Sequence, residues 1–275
     1  MEKPGKQPLV SVIMATFNEP VEHLRSAVES ILEQTYQHIE LLIADDSTDT
    51  ATIKAIDDIA ESDARIIVIR QQQKMGFVQA INIALSEAKG ELIARMDADD
   101  IALPDRIANQ VAYAAKHPEI DLFGGHIYII DANDKVTSLR KYKVDSKSFT
   151  RMFVYRNPLA HPTIMFRRTI IEQGYMYDPS FKKAEDLEFY LRLYNHGFHL
   201  GNMDEFLLKY RIIGDMQKKR QYDNWCYNHK ARARNFNWHK PLFSICSWIV
   251  SFLYIYIPNR LISFFYKREN NKKNY

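Results

Sequence analysis

The sequence predicts an α/β fold. A mixed, mainly parallel sheet occupies residues 1–215, and a helical tail follows over residues 216–275. Three observations carry this reading. Short β-branched runs alternate with helix-period runs through the first hundred residues. Those runs stop at polar or acidic turns, and charge and hydropathy change character after residue 215. With 46% hydrophobic and 26% charged residues, the chain is not broadly disordered, collagenous or a coiled coil, and 275 residues can bury a core without staples.

The elements follow in order. Residues 10–14 form a first strand ending at Thr16-Phe17-Asn18. Leu24, Ala27, Val28, Ile31 and Leu32 then repeat at helical spacing. Residues 39–44 are a second strand halted by Asp45, Asp46 and Ser47; 51–59 read as helix and 65–70 as a third strand. Gly76 opens a helix whose apolar positions include Phe77, Ala80, Ile81, Ala84 and Leu85. Residues 91–96 are a fourth strand, stopped by Asp97-Ala98-Asp99-Asp100. Helical crossovers between such strands imply right-handed parallel pairing, with ligands outside the strands' carboxyl ends. Residues 1–100 therefore read as the ligand-binding part of the domain and 101–215 as its second part.

The tail is separate in character. Residues 216–275 carry twelve Lys or Arg against two acids, a net +10, so residues 1–215 hold −7 of the chain's overall +3. Its uncharged run, residues 242–257, would span only about 24 Å as a helix, short of a roughly 30 Å hydrocarbon core. Aromatics among aliphatics, closed by Lys267 and Arg268, fit an interfacial anchor at an anionic membrane. A core helix docked on the main domain is the alternative. Nucleic acid is not expected, because an apolar stretch has no role on phosphates. Cys226 and Cys246 alone cannot build a disulfide scaffold or a cysteine zinc module, and the polar residues 1–8 are no export signal. The expected place is the cytoplasmic face of a membrane, peripheral or monotopic.

No Gly-rich phosphate loop is present, so a diphosphate is expected to be held through a metal. Asp97 and Asp99 flank a small residue at a strand end, where both can turn into one site. Such oxygens suit a hard divalent ion, Mn2+ or Mg2+, although a solvated loop or a cap for the helix near Pro104 would use the same residues. Asp45 and Asp46 can cap a helix or bind a nucleobase, with Phe17 offering a stacking face. Asp186 is either a first-turn acid favoured by the helix dipole or a general base for an acceptor hydroxyl. His161, in the proline-flanked segment 157–163, could line the acceptor side or be an ordinary loop histidine.

Taken in order, these residues resemble the family 2 inverting glycosyltransferases of the GT-A fold, over roughly residues 10–211. The resemblance implies that Thr16 and Phe17 cup the uracil of a UDP-sugar and that Asp46 binds the base. It implies that Gly76 to Asn82 closes over the nucleotide, that Asp99 ligates the metal, and that Asp97 serves ribose or metal. Residues 174–186 look like the acceptor motif, with Glu185 beside the base Asp186. Two departures stand out. Relatives often carry Tyr-Arg-x-His where this chain has Tyr210-Arg211-Ile212-Ile213, and an arginine where it has Ile81. Arg211 or Lys218 is then the expected substitute partner for phosphate.

The implied reaction is hexose transfer, Gal or Glc, from a UDP-sugar to a polyprenyl-diphosphate-linked sugar such as GlcNAc-diphosphate-undecaprenol. It would form a β-linkage in O-antigen or other surface polysaccharide. Two alternatives accompany it: a metal-dependent aspartyl phosphatase acting through Asp97, and a membrane-bound nucleotide-sugar sensor without turnover.

Overall fold

A computed structural model describes residues 7–71, 74, 76–213 and 222–257. The first half repeats strand and helix: β1 (Val10–Thr16), α1 (Val21–Leu32), β2 (Ile39–Asp45), α2 (Thr50–Ser62), β3 (Ile66–Arg70), α3 (Phe77–Glu87) and β4 (Leu92–Asp97). β2, β3 and β4 pair in parallel around β1, as the alternating pattern implies. A short β5 (Ile101–Ala102) and α4 (Arg106–Lys116) follow.

The second half changes direction. It comprises β6 (Leu122–Ile130), β7 (Val136–Arg140), α5 (Ser146–Met152), a 3-10 turn at His161–Thr163, β8 (Met165–Arg167), α6 (Thr169–Glu172), α7 (Glu185–Asn195) and β9 (Leu200–Arg211). β8 runs antiparallel to both β4 and β6, which joins the two halves into one sheet of order β3-β2-β1-β4-β8-β6-β9-β5, with β7 on β6. Two helices end the described chain, α8 (Tyr222–Arg234) and α9 (Pro241–Tyr256).

Strand alternation sorts the core into two layers. Val10, Val12 and Met14 face α1, α2 and α4, burying Leu24, Val28, Ile31, Ile56 and Ile107. Ile13, Leu42 and Ile93 face α3 and α7, burying Ile81, Leu85, Phe189 and Tyr190. Ile81 is thus a core residue, packed away from any nucleotide contact. Phe77 corrects the sequence expectation. It is 41% exposed and lines open pockets, in contrast to the buried Ala80, Ile81, Ala84 and Leu85 of the same helix.

α9 also departs from an ordinary docked helix. Ser244, Ser247 and Ser251 are its buried face, while Leu242, Ile245, Ile249, Leu253 and Tyr256 are exposed. Ser247 donates to the Phe153 carbonyl (3.2 Å), and Ser251 meets His229 Nδ1 on α8 (2.9 Å). Its small polar face meets the protein and its apolar face points outward. Among the described residues, no helix is long and apolar enough to cross a membrane. Lys218, Lys267 and Arg268 lie outside the described residues.

Candidate active site

The carboxyl ends of β1, β2 and β4 frame a pocket of about 220 Å³ lined by Thr16, Phe17, Asp46, Lys74, Gly76 and Asp99, among others. Local chemistry shapes it. Asn18 sits at φ +52, which a short amide side chain tolerates, and its Oδ1 accepts the Thr48 and Asp49 amides (2.8 and 2.9 Å). The turns after β1 and β2 are thereby clamped together. Asp49 is the residue that caps α2, accepting from the Thr52 amide at 2.9 Å, so Asp45, Asp46 and Ser47 are not its caps.

Asp45 is buried against Arg70 (2.8 Å). Asp46 accepts the Gly76 amide at 2.7 Å, which closes the pocket's second side. Gly76 adopts φ +82, where a Cβ would be strained. The Phe17 ring is 43% exposed and carries the Lys74 ammonium 3.2 Å from its centre. An aromatic face, a carboxylate and a cation in one concave pocket suit a base and phosphate.

A second, larger chamber of about 500 Å³ adjoins it. Phe77 and Asp97 line both spaces and form the partition. On β4, Arg95 and Asp97 point the same way, as residues two apart on a strand must, and their side chains are hydrogen-bonded. Burial alone would lower the Arg95 pKa; Asp97, with Tyr177 and Asp100 adding, more than offsets this, so the guanidinium stays charged.

The carboxylates of Asp97, Asp99 and Asp100 lie within 4.8 Å of one another. Asp100 is wholly buried, and one of its oxygens has no hydrogen-bond partner. Burial, then its two acidic neighbours, push its pKa well up. Crowded, all-oxygen donors with residual negative potential fit a hard divalent cation. The cap alternative fails, because α4 begins after Asp105 without a side-chain cap.

Arg211 has a different place from the one expected. It is 1% exposed, its Nε donates to the Asp99 carbonyl (2.7 Å), and its guanidinium pairs with Asp134. Its amide donates to Asp100 (2.8 Å). The guanidinium therefore braces the acidic loop from behind, and lines neither chamber.

Across the larger chamber stands the start of α7. Ala184 adopts φ +56, a strained conformation for a residue with a Cβ, and delivers Glu185 and Asp186 into the cleft. Asp186 is fixed by Asn157 Nδ2 (2.6 Å) and the Leu187 amide (2.7 Å). His161 lines the same chamber, meets the Tyr177 hydroxyl at 2.8 Å and lies edge-on to Phe77. Burial, then Arg95, lowers its pKa well below the usual value, so it is neutral.

Asn82 lines neither space: its amide bonds both the carbonyl and the N–H of Tyr177 (2.8 and 3.0 Å). It ties α3 to the segment that carries Tyr177, in place of the nucleotide contact expected of it. Asp97 and Asp186 thus share one cleft, and Asp99 stands just beyond the partition.

Burial, then Asp186, raises Glu185 to about 7, and burial raises Asp186 as well. The pair titrates together. A base must be deprotonated, and burial raises the Asp186 pKa, so turnover should climb with pH as Asp186 loses its proton. Burial is the first cause of the Asp186 shift, so Glu185→Gln should keep this rise in the pH–rate profile; its loss would assign the limb to Glu185.

Several site residues were not singled out from sequence. Arg95, Asn157, Tyr177, Arg140, Lys141 and Arg156 converge through β4–β8 pairing and loop packing. Asn157 and Tyr177 fall within the segments 157–163 and 174–186 read as the acceptor side, and Arg95 stands two residues from Asp97; Arg140, Lys141 and Arg156 left no local signal.

Comparison with known proteins identifies the family and the fold. The family model for glycosyl transferase family 2 matches residues 11–175. An uncharacterized glycosyltransferase of Methanocaldococcus jannaschii is 34% identical over 75% of this chain and 71% of its own length. The O-antigen biosynthesis glycosyltransferase WbnJ of Escherichia coli is 32% identical over 77% and 82%.

Among solved structures, Staphylococcus aureus TarS 1–349 in complex with UDP-GlcNAc superposes with TM-score 0.62 at 18% identity, covering 82% of this chain and 65% of that one. The mannosyltransferase PcManGT of Pyrobaculum calidifontis, in complex with GDP-Man and Mn2+, gives 0.62 at 17%, covering 93% and 72%. At such identities the likeness shows the fold, which is GT-A. From the family match and the curated relatives, the chain belongs to glycosyl transferase family 2.

Proposed function

We propose that this protein transfers a hexose, galactose or glucose, from a UDP-sugar to a sugar carried on a polyprenyl diphosphate, with GlcNAc-diphosphate-undecaprenol as the acceptor. The carrying observation is the shared cleft: Asp97 and Phe77 divide a nucleotide-sized pocket from the chamber into which Asp186 projects. Thr16, Phe17, Asp46 and Gly76 hold the nucleotide. Asp99, with Asp97, holds Mn2+ or Mg2+, which when bound neutralises charge on the departing diphosphate.

In the larger chamber, Asp186 accepts the proton of the acceptor hydroxyl. The freed oxygen bonds to the anomeric carbon from the face opposite the diphosphate as the carbon–oxygen bond to UDP breaks. An α-linked donor thereby gives a β-linkage. Asn157 and the Leu187 amide keep Asp186 aimed, so most of the acceleration comes from positioning and electrostatics. The product belongs to O-antigen or a related surface polysaccharide, a reading supported by the relative WbnJ.

The outward apolar face of α9 supports a place on the cytoplasmic face of the inner membrane. Exposed Trp248, Phe252 and Tyr256 suit the interface, and the tail's net +10 suits anionic headgroups. Ile249→Glu with Leu253→Glu should abolish most co-sedimentation with anionic vesicles while leaving the fold intact; undiminished binding contradicts this placement.

The function itself is tested by incubating UDP-Gal, UDP-Glc and other UDP-sugars with the lipid-diphosphate acceptor, with and without manganese. Metal-dependent glycosylated product is the expected result. UDP-sugar binding without product would instead favour a sensor. The phosphatase alternative fails with the family assignment, and it leaves Asp186 and its clamp without a role.

A further inference from the structure

The larger chamber has a second charged wall that the transfer chemistry does not use. Arg140 and Lys141, at the end of β7, and Arg156, beside the Asp186 clamp Asn157, all line it. None of the three lines the nucleotide pocket. They stand in a body whose net charge is −7, so three cations on one concave surface are not an average of their surroundings. Arg95 does not serve this wall, because its side chain is bonded to Asp97.

The same chamber reaches the tail. Asn224 of α8 lines it, and the next residue, Trp225, packs against Tyr254 of α9 with ring centres 5.0 Å apart. Exposed Leu253 and Tyr256 flank that contact. The chamber therefore joins a carboxylate and three cations in one lining, and it borders the helix pair that carries the outward apolar surface.

We propose that Arg140, Lys141 and Arg156 bind the diphosphate of the acceptor, setting the sugar's hydroxyl against Asp186 while the lipid leaves toward α9. This rests on the reading of the acceptor as a lipid-linked diphosphate, and it assigns the residues that recognise it. The groups match the parts of such a molecule: a carboxylate for the hydroxyl, cations for the diphosphate and an apolar surface for the hydrocarbon. Guanidinium and ammonium groups are the usual partners of phosphate oxygens, arginine by paired hydrogen bonds. The chamber's volume of about 500 Å³ lies within the range of small-ligand sites, roughly 300–1,000 Å³.

The test compares two acceptors bearing the same GlcNAc and the same short alkyl chain, one through a diphosphate and one through a plain glycosidic bond. In full-length wild type, the diphosphate acceptor should have the higher kcat/KM. In Lys141→Gln, and more in the variant combining Arg140→Gln, Lys141→Gln and Arg156→Gln, that preference should fall about tenfold or more, chiefly through KM of the diphosphate acceptor. Arg156→Lys should restore part of it. Lys141 is exposed at a strand end, so its single variant should fold even if the triple does not.

UDP affinity by calorimetry separates the donor's diphosphate from the acceptor's, and anionic-vesicle binding separates headgroups from both; each should be unchanged. The proposal is overturned if the wild-type preference survives in the variants, or if UDP or vesicle binding falls in place of acceptor KM. If wild type itself uses only the neutral acceptor, the reading of the substrate fails and this assignment falls with it.

Discussion

Asp186→Asn is expected to lower kcat by about 10²- to 10⁴-fold, the usual range for a positioned general base, while UDP binds with an affinity within about twofold of wild type. The substitution isolates the proton-accepting role. An asparagine oxygen can still accept the hydrogen bond from Asn157, which holds Asp186 at 2.6 Å, and the side chain keeps its volume in a half-buried position. What disappears is a group able to take a proton. The bond from the Leu187 amide is the one packing element placed at risk, so thermal unfolding should be followed alongside. Product formation by single-turnover assay near the wild-type rate would remove Asp186 from the mechanism.

Asp99→Ala should have the second largest effect, reducing metal-stimulated transfer to the level seen without metal. The geometry makes this variant informative. Arg211 is anchored to the main-chain carbonyl of Asp99, not to its side chain, so the loop remains braced when the carboxylate is removed. One of three crowded carboxylates is gone, which relieves repulsion in the absence of a cation. Manganese should then raise the melting temperature of wild type in the presence of UDP but not that of Asp99→Ala. An equal shift in both proteins would place the ion elsewhere. Asp100→Asn is a poorer probe, since Asp100 is buried and holds the Arg211 amide, so lost stability would mix with lost binding.

The sequence was informative where structure is local. β1 to β4 announce themselves as β-branched runs separated by helical spacing, and their acidic ends fall on one sheet edge because parallel strands share a direction. The second half was less legible. β8 lies antiparallel between β4 and β6, a pairing made over long separations that no short pattern encodes. That pairing brings Asn157 to Asp186, turns Asn82 toward Tyr177, and opens a chamber rimmed by Arg140 and Arg156. Arg211 looked like a phosphate ligand because its charge is visible in sequence and its burial is not. The tail is an intermediate case. Ser244, Ser247 and Ser251 recur at helical spacing and mark the face that meets the protein, yet beside so many apolar residues they read as incidental.

The most direct test is the anomeric configuration of the product, read by NMR from the coupling constant of its new glycosidic proton after reaction with an α-linked UDP-sugar. A single base facing the donor across one cleft must push the acceptor oxygen in from the side opposite UDP, and the account predicts a β-linked sugar. An α-linked product would mean that configuration was kept, and one-step displacement assisted by Asp186 could not have formed it.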